Sequence, residues 1–313
     1  VNIRHIKTFL KSPLQASARV RLGLFETNQT QLEDDREPLE ANGFDLGQLA
    51  ANCFWKSPTL DEAVTHLESG LKVLQARGRL PFGVFFKQVQ QQGVECLEAW
   101  WKNADITDLG CPTEYDTVRL GDGRIKQSTR HTFAPVCIEG LDSQSNQVTF
   151  SIEGDLERVH RDGHTIAKIM RTQRIGKKYF LDPFMSSVCL SAVGQPTSHP
   201  VRLIVLPTKP FARERMCQYL KTPNAEQASA YLWDLVAELM GSFHGYRFSI
   251  EAVLKFISAV ETSSTARFHP LTVAETADQY GPIRDPESFS APHDDAVHEM
   301  IERRFAPWLK AVQ

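Results

Sequence analysis

The stretch with the most chemical content is Gly154-Asp-Leu-Glu-Arg-Val159 followed by Arg161-Asp-Gly-His164 and Thr165 to Arg171. The segment around Leu156 to His160 leads through the hairpin turn Arg161-Asp162-Gly163-His164 into Thr165 to Arg171, which reads as strand, tight turn, strand. An acid on the first strand and an acid-x-Lys on the second would hold Mg²⁺ between two carboxylates, with the lysine orienting water for hydrolysis of a phosphodiester. Glu157, or Asp155, supplies the first carboxylate. The second is missing. Between Asp162 and Asp182 there is no Asp or Glu, while Lys168, Arg171, Arg174, Lys177 and Lys178 crowd the segment. The reading is a nuclease scaffold without nuclease chemistry and with no catalytic residue, metal or cofactor. Its plain alternative is a hairpin and nothing more, and a rival keeps an active site completed by a distant acid such as Glu153 or Asp182.

Other chemistry is weaker. His160 and His164 flank the turn, and His293 and His298 surround Asp294-Asp295, but ten histidines in 313 residues form loose clusters by chance. H-E-x-x-H, G-x-x-x-x-G-K-[ST], G-x-S-x-G and G-x-G-x-x-G do not occur, which speaks against nucleotide hydrolysis by this chain. The six cysteines are scattered without a C-x-x-C pair, as expected of reduced thiols in the cytoplasm.

Positive charge collects elsewhere too. Arg4, Lys7, Lys11, Arg19 and Arg21 precede the first acid, Glu26; Glu33, Asp34, Asp35, Glu37 and Glu40 then reverse the sign. These cations and the Lys168–Lys178 group are candidates for phosphate contacts along DNA, with solvated faces as the alternative for each. Phe133, Tyr179 and Phe180 stand near them and would stack on bases, although core packing suits most of them better. Overall the chain is not basic: the net charge is −3, with 35 Lys and Arg against 38 Asp and Glu.

The elements needed to position these groups can be read from periodicity. Helices are expected over Asn2 to Leu24, broken at Ser12-Pro13, and over much of Leu46 to Trp101, with Asn2, Asp45 and Thr59 as N-caps and Gly78 as a stop. Val118 to Leu120, Thr132 to Ile138 and Val148 to Ile152 read as an antiparallel meander or hairpin series, and Val201 to Leu206 as a buried strand. A helix over Phe184 to Ala192 and three apolar helical stripes, on Leu232 to Met240, Val253 to Val260 and Val297 to Leu309, complete the chain. The fold class is α/β (α+β), divided into a mainly helical part over 1–112 that wraps or flanks the core and a core with carboxy-terminal helices over 113–313. At 35.3 kDa with 42% hydrophobic residues, the chain has ample material for a core. No run of 18 uncharged apolar residues exists, so no membrane contact is expected. Beginning at Val1, the chain reads as a piece of a longer protein.

Four stretches together resemble the carboxy-terminal region of the exodeoxyribonuclease V gamma subunit, the RecC family. They are Ile6-Lys-Thr-Phe-Leu-Lys-Ser-Pro-Leu14 continuing to Arg21-Leu-Gly-Leu24, the acidic Glu33-Asp-Asp-Arg-Glu-Pro38, Arg77-Gly-Arg-Leu-Pro-Phe-Gly83, and Gly154-Asp-Leu-Glu-Arg-Val159 with its succeeding strand and helix. The first three are shared with related nuclease-bearing subunits. The resemblance implies a restriction-endonuclease-like core sheet flanked by helices, degenerate at the PD-(D/E)xK positions. Glu157 stands for the first Asp, and in the most natural register Ile169 and Arg171 stand for the acid and the lysine. The glutamine-containing helix motif and the iron–sulfur cysteines of the AddB-type relatives are absent. The role that the resemblance implies is noncatalytic: DNA handling and subunit docking in a helicase–nuclease of RecBCD type, which processes double-strand breaks for recombination. Its partners would be DNA, as a duplex end or single strand, the beta subunit and, as a further candidate, the alpha subunit. A purely structural partner-binding domain is the remaining alternative.

Overall fold

The computed structural model describes residues 1–24, 43–121, 131–141, 145–195, 200–221, 223–262, 268 and 294–311. The acidic stretch Glu33 to Glu40 and His293 lie outside the described residues. Helix α1 (Ile3–Lys11) starts where Asn2 accepts a hydrogen bond from the Arg4 backbone N–H at 2.8 Å, and buries Ile3, Ile6, Phe9 and Leu10. Helix α2 (Pro13–Arg21) begins on Pro13, whose fixed φ and missing N–H suit a first helical position. Helices α3 (Gly43–Lys56), α4 (Leu60–Ala76) and α5 (Gly83–Ile106) come next. Thr59 caps α4 through the Glu62 N–H as expected, and Gly78 adopts the left-handed φ of +69° just past its end. Asp45, expected as a cap, instead falls inside α3, which starts two residues earlier.

The six-stranded sheet has the order β2-β1-β5-β6-β7-β8, with β1 (Tyr115–Leu120), β2 (His131–Phe133), β5 (Gly154–His160), β6 (Thr165–Ile169), β7 (Val201–Leu206) and β8 (Cys217–Leu220). Strands β3 (Val136–Leu141) and β4 (Gln147–Ile152) form a separate antiparallel hairpin. The expected strand Thr132 to Ile138 is therefore two. The chain breaks at Ala134-Pro135, since proline cannot donate to a ladder, and β2 pairs with β1 in parallel, not as part of a meander. Strand β5 runs antiparallel to both β1 and β6, and β6 runs parallel to β7 after the crossover through α6 (Leu181–Ala192). The remaining helices are the single turn α7 (Arg213–Met216), α8 (Ala225–Gly241), α9 (Ile250–Thr262) and α10 (Asp294–Ala311).

Alternation along the central strands gives the sheet two apolar faces. Ile166, Leu203 and Val205 join a core shared with α1, α6, α8 and α10; Ala167, Ile204 and Leu206 join a second core made with α3, α4 and α5. A strand buried on both faces is what the unbroken apolar run Leu203 to Leu206 requires. The helical stretch before β1 thus supplies both coverings, α1 and α2 on one face and α3 to α5 on the other. Two polar anchors hold α5 to the sheet: Trp100 Nε1 donates to the Met170 carbonyl at 3.0 Å, and Asn103 Nδ2 donates to that of Pro207 at 2.8 Å. No helix among the described residues is long and apolar enough to cross a membrane.

Candidate functional site

A bulge in β5 sets the site. Thr117 pairs with Arg158 and Arg119 with Asp155, so two β5 residues, Leu156 and Glu157, stand against the single Val118 of β1. An extra residue of this kind bends a strand and re-aims a side chain. Leu156 enters the core on the α6 face, and Glu157 reaches the same side. Strict alternation resumes beyond it, with Arg158 turned to the opposite face over the Trp55 ring at 5.6 Å.

Across from Glu157, β6 presents Lys168. Its Nζ lies 3.5 Å from Glu157 Oε1 and donates a hydrogen bond to Asp182 Oδ2. Asp182 stands in the first turn of α6, where the helix dipole favours a carboxylate, and only 8% of its side chain is exposed. Periodicity alone begins this helix at Phe184; the structure begins it at Leu181, which brings Asp182 onto the sheet. From α1, Lys11 Nζ contacts both Asp182 oxygens at 2.6 and 2.7 Å, and Lys7 Nζ lies 3.7 Å from Glu157 and 3.5 Å from Ser186 Oγ. Lys7 and Lys11 act together because i and i+4 positions share one helical face. Ser186 joins the helix to the bulge: its hydroxyl donates to the Asp182 carbonyl at 3.0 Å and accepts from the Glu157 backbone N–H at 3.1 Å.

Electrostatics at this point favour the charged forms of Asp182 and Lys168. Burial by itself would raise the Asp182 carboxyl, but Lys168, Lys11 and Lys7 outweigh it and hold the group well below the usual carboxylate range. Burial would likewise lower the Lys168 ammonium, and the charges of Glu157 and Asp182 reverse that, raising it. Three ammonium groups thus surround two carboxylates. Such a donor set does not fit a divalent cation, because each carboxylate is already paired and a metal would meet three positive neighbours.

Above the cluster opens a cleft of about 490 Å³ lined by Arg4, Lys7, Lys11, Arg19 and Arg119 together with Asp155, Glu157 and Asp182. Asp155, the alternative first carboxylate, is on its rim, paired with Arg119 at 2.8 Å. Arg119 is the cleft residue that sequence reading missed; only its pairing opposite Asp155 marks it.

The remaining expected residues separate. Ile169 points to the other face of the sheet, against the α3–α5 core. Arg171 is on that side as well, beside Gly47 and the Cys96 thiol. Ile169 and Arg171, which stand for the acid and the lysine in the register of the resemblance, are thus on the face away from Glu157, and Lys168 and Met170 share the α6 face with it. The basic run from 168 to 178 is split by the sheet. Arg174 and Lys177 are exposed, while Lys178 pairs with Glu251 of α9 at 2.6 Å and lies over Tyr179 at 5.1 Å. Arg21 is outside the cleft, donating to the Met240 carbonyl at 2.7 Å at the end of α8. Phe180 is core and Phe133 and Tyr179 pack against it. His160 contacts Glu114 and Asp162, and His298 packs on Phe256. Among the described residues no group of His, Cys, Asp and Glu is arranged to hold a metal.

The family model of the RecC C-terminal domain matches residues 1–240. The chain belongs to the RecC C-terminal domain family. Every residue of the Glu157–Asp182 cluster and its cleft is within the match, as are both helical coverings of the sheet; α9 and α10 lie beyond it. No curated protein matches the chain. Membership in the RecC family suggests a part of a RecBCD-type exodeoxyribonuclease V.

Proposed function

We propose that the chain is a noncatalytic DNA-handling and subunit-docking domain of a RecBCD-type exodeoxyribonuclease V acting in double-strand break repair and recombination. It has a degenerate restriction-endonuclease-like core, in which β1, β5, β6, α6 and β7 correspond to the sheet and crossover that carry a nuclease site in active relatives. The observation that carries the reading is the Lys168 ammonium between Glu157 and Asp182. In an active site of this layout that position holds a divalent ion, and the residue facing Glu157 is an acid. Motor and nuclease activity would come from the beta subunit and, as a further candidate, the alpha subunit, in the cytoplasm.

The rival reading, an active nuclease completed by Asp182, has one observation on its side, since Asp182 and Glu157 do flank a single cation. The charge count weighs against it, because exchanging Lys168 for a metal leaves Lys7 and Lys11 within reach of the same oxygens. Incubating the chain with labelled duplex and single-stranded DNA in Mg²⁺ or Mn²⁺ decides between them. No cutting is expected, and metal-dependent cutting abolished by Glu157→Ala would establish the enzyme. Copurification of the chain with the helicase–nuclease subunits tests the docking role, for which failure to copurify is the adverse result.

A further inference from the structure

We infer that the cleft between α1, β1 and β5 is a phosphate site, with Arg4 and Arg119 at its mouth as the primary ligands and a phosphodiester of the nucleic-acid backbone as the group bound. The inference rests on the proposed DNA-handling role and assigns it a location. Charge is the first support. Five cationic side chains line the cleft, a sixth, Lys168, closes its base, and they face three carboxylates. Those carboxylates are all engaged: Asp155 with Arg119, Glu157 with Lys7 and Lys168, Asp182 with Lys11 and Lys168. The cationic side chains of the cleft and its base thus outnumber its carboxylates two to one.

Unused donors are the second support. The Arg4 side chain forms no ion pair among the described residues. Arg119 commits one terminal nitrogen to Asp155, while its buried Nε–H has no acceptor among the described residues. A buried N–H without a partner carries a real desolvation cost, and a guanidinium fork matches phosphate oxygens in geometry as well as charge. The potential is felt nearby: burial lowers His5 from its ordinary value, and the chain's terminal ammonium, Arg19 and Arg4 lower it further. The lysines at the base, being tied to carboxylates, set the field and shape the floor, and the arginines at the mouth do the binding.

Two probes test the site: inorganic phosphate, followed by ³¹P line broadening, and a fluorescent oligothymidylate, followed by anisotropy across a salt series. The variant is Arg4→Glu combined with Arg119→Gln. Arg4→Glu alone is the second variant, because Arg4 is exposed in the first turn of α1, where an acid is favoured. Lys72→Glu, exposed on α4 across the sheet, is the control. The double variant is expected to lose phosphate broadening and to bind the oligonucleotide about tenfold more weakly, its salt slope shallower by about 0.7 for each single-strand phosphate lost. The control should behave as the parent chain. Oligonucleotide binding that survives unchanged in both variants would overturn the phosphate site and leave the DNA-handling reading standing. Phosphate bound by the parent chain with no oligonucleotide binding at any salt would sink the DNA reading and reassign the cleft to free phosphate.

Discussion

Removing Lys168 and Asp182 separately and together tests whether the site is held by the ion pair described. Asp182 is nearly enclosed and Lys168 has 21% of its side chain exposed, so solvent screens their contact little. Breaking a buried pair by deleting one partner typically costs about 3–5 kcal/mol, because the survivor is left charged and desolvated. Lys168→Met leaves Asp182 still touching Lys11 at 2.6 Å, which brings its cost below that range, to about 2–3 kcal/mol. Asp182→Leu leaves Lys168 and Lys7 with Glu157 alone, at 3.5 and 3.7 Å, and takes from Lys11 its carboxylate, and it belongs at about 3–4 kcal/mol. The double variant deletes both charges and leaves Glu157 with Lys7, so its cost should be well below the sum, with a coupling of about 2–3 kcal/mol. Urea unfolding at neutral pH, read by midpoint at constant slope, measures all three; in thermal scans each kcal/mol is worth about 1.5 °C at this chain length. Costs that add to within about 0.5 kcal/mol would mean that Lys168 and Asp182 do not interact as the structure has them.

Three further outcomes are expected from the packing. Arg304 is fully buried, donates to both Glu238 oxygens at 2.9 and 3.1 Å and stacks over Phe9 at 4.5 Å, so Arg304→Met should cost about 3 kcal/mol in urea unfolding by stranding Glu238 with the half-exposed Arg303. Burial alone would raise the Glu238 carboxyl, yet hydrogen bonds from Arg304 and Arg303 hold it down at about 2, below its ordinary 4.5. Since the folded value is the lower one, this stabilisation is complete above about pH 4.5 and disappears as pH falls toward 2, and Glu238→Gln should flatten that part of the stability–pH curve. At Gly140, an added Cβ would run into the Trp233 ring, so Gly140→Val should lift the β3–β4 hairpin from α8 and lower the melting point, at about 1–3 kcal/mol.

Much of this architecture can be read in one dimension. Period 3.6 with Asn2 and Thr59 as caps marks α1 and α4, and the apolar run Leu203 to Leu206 marks a strand covered on both sides, since local sterics and burial patterns act over a few residues. Pro135 also announces the break between β2 and β3, although the alternation on either side of it hides the break. The short elements were not legible: β8 and α7 are held by their neighbours and carry little periodicity of their own.

What the sequence by itself determined was the chemistry available near the turn at Gly163: acids on the strand before it, a basic strand after it, and no acid between Asp162 and Asp182. Only the tertiary structure decided which of these residues meet. A bulge of one residue leaves Leu156 and Glu157 both on the α6 side, and the β5–β6 register puts Lys168, not Ile169, across from Glu157, because successive strand residues point to opposite faces and a shift of one exchanges them all. Lys11 and Asp182 are 171 positions apart and touch because α1 lies across β5 while α6 passes beneath β6. That contact is set by how two helices pack on a shared sheet, a quantity no local pattern encodes.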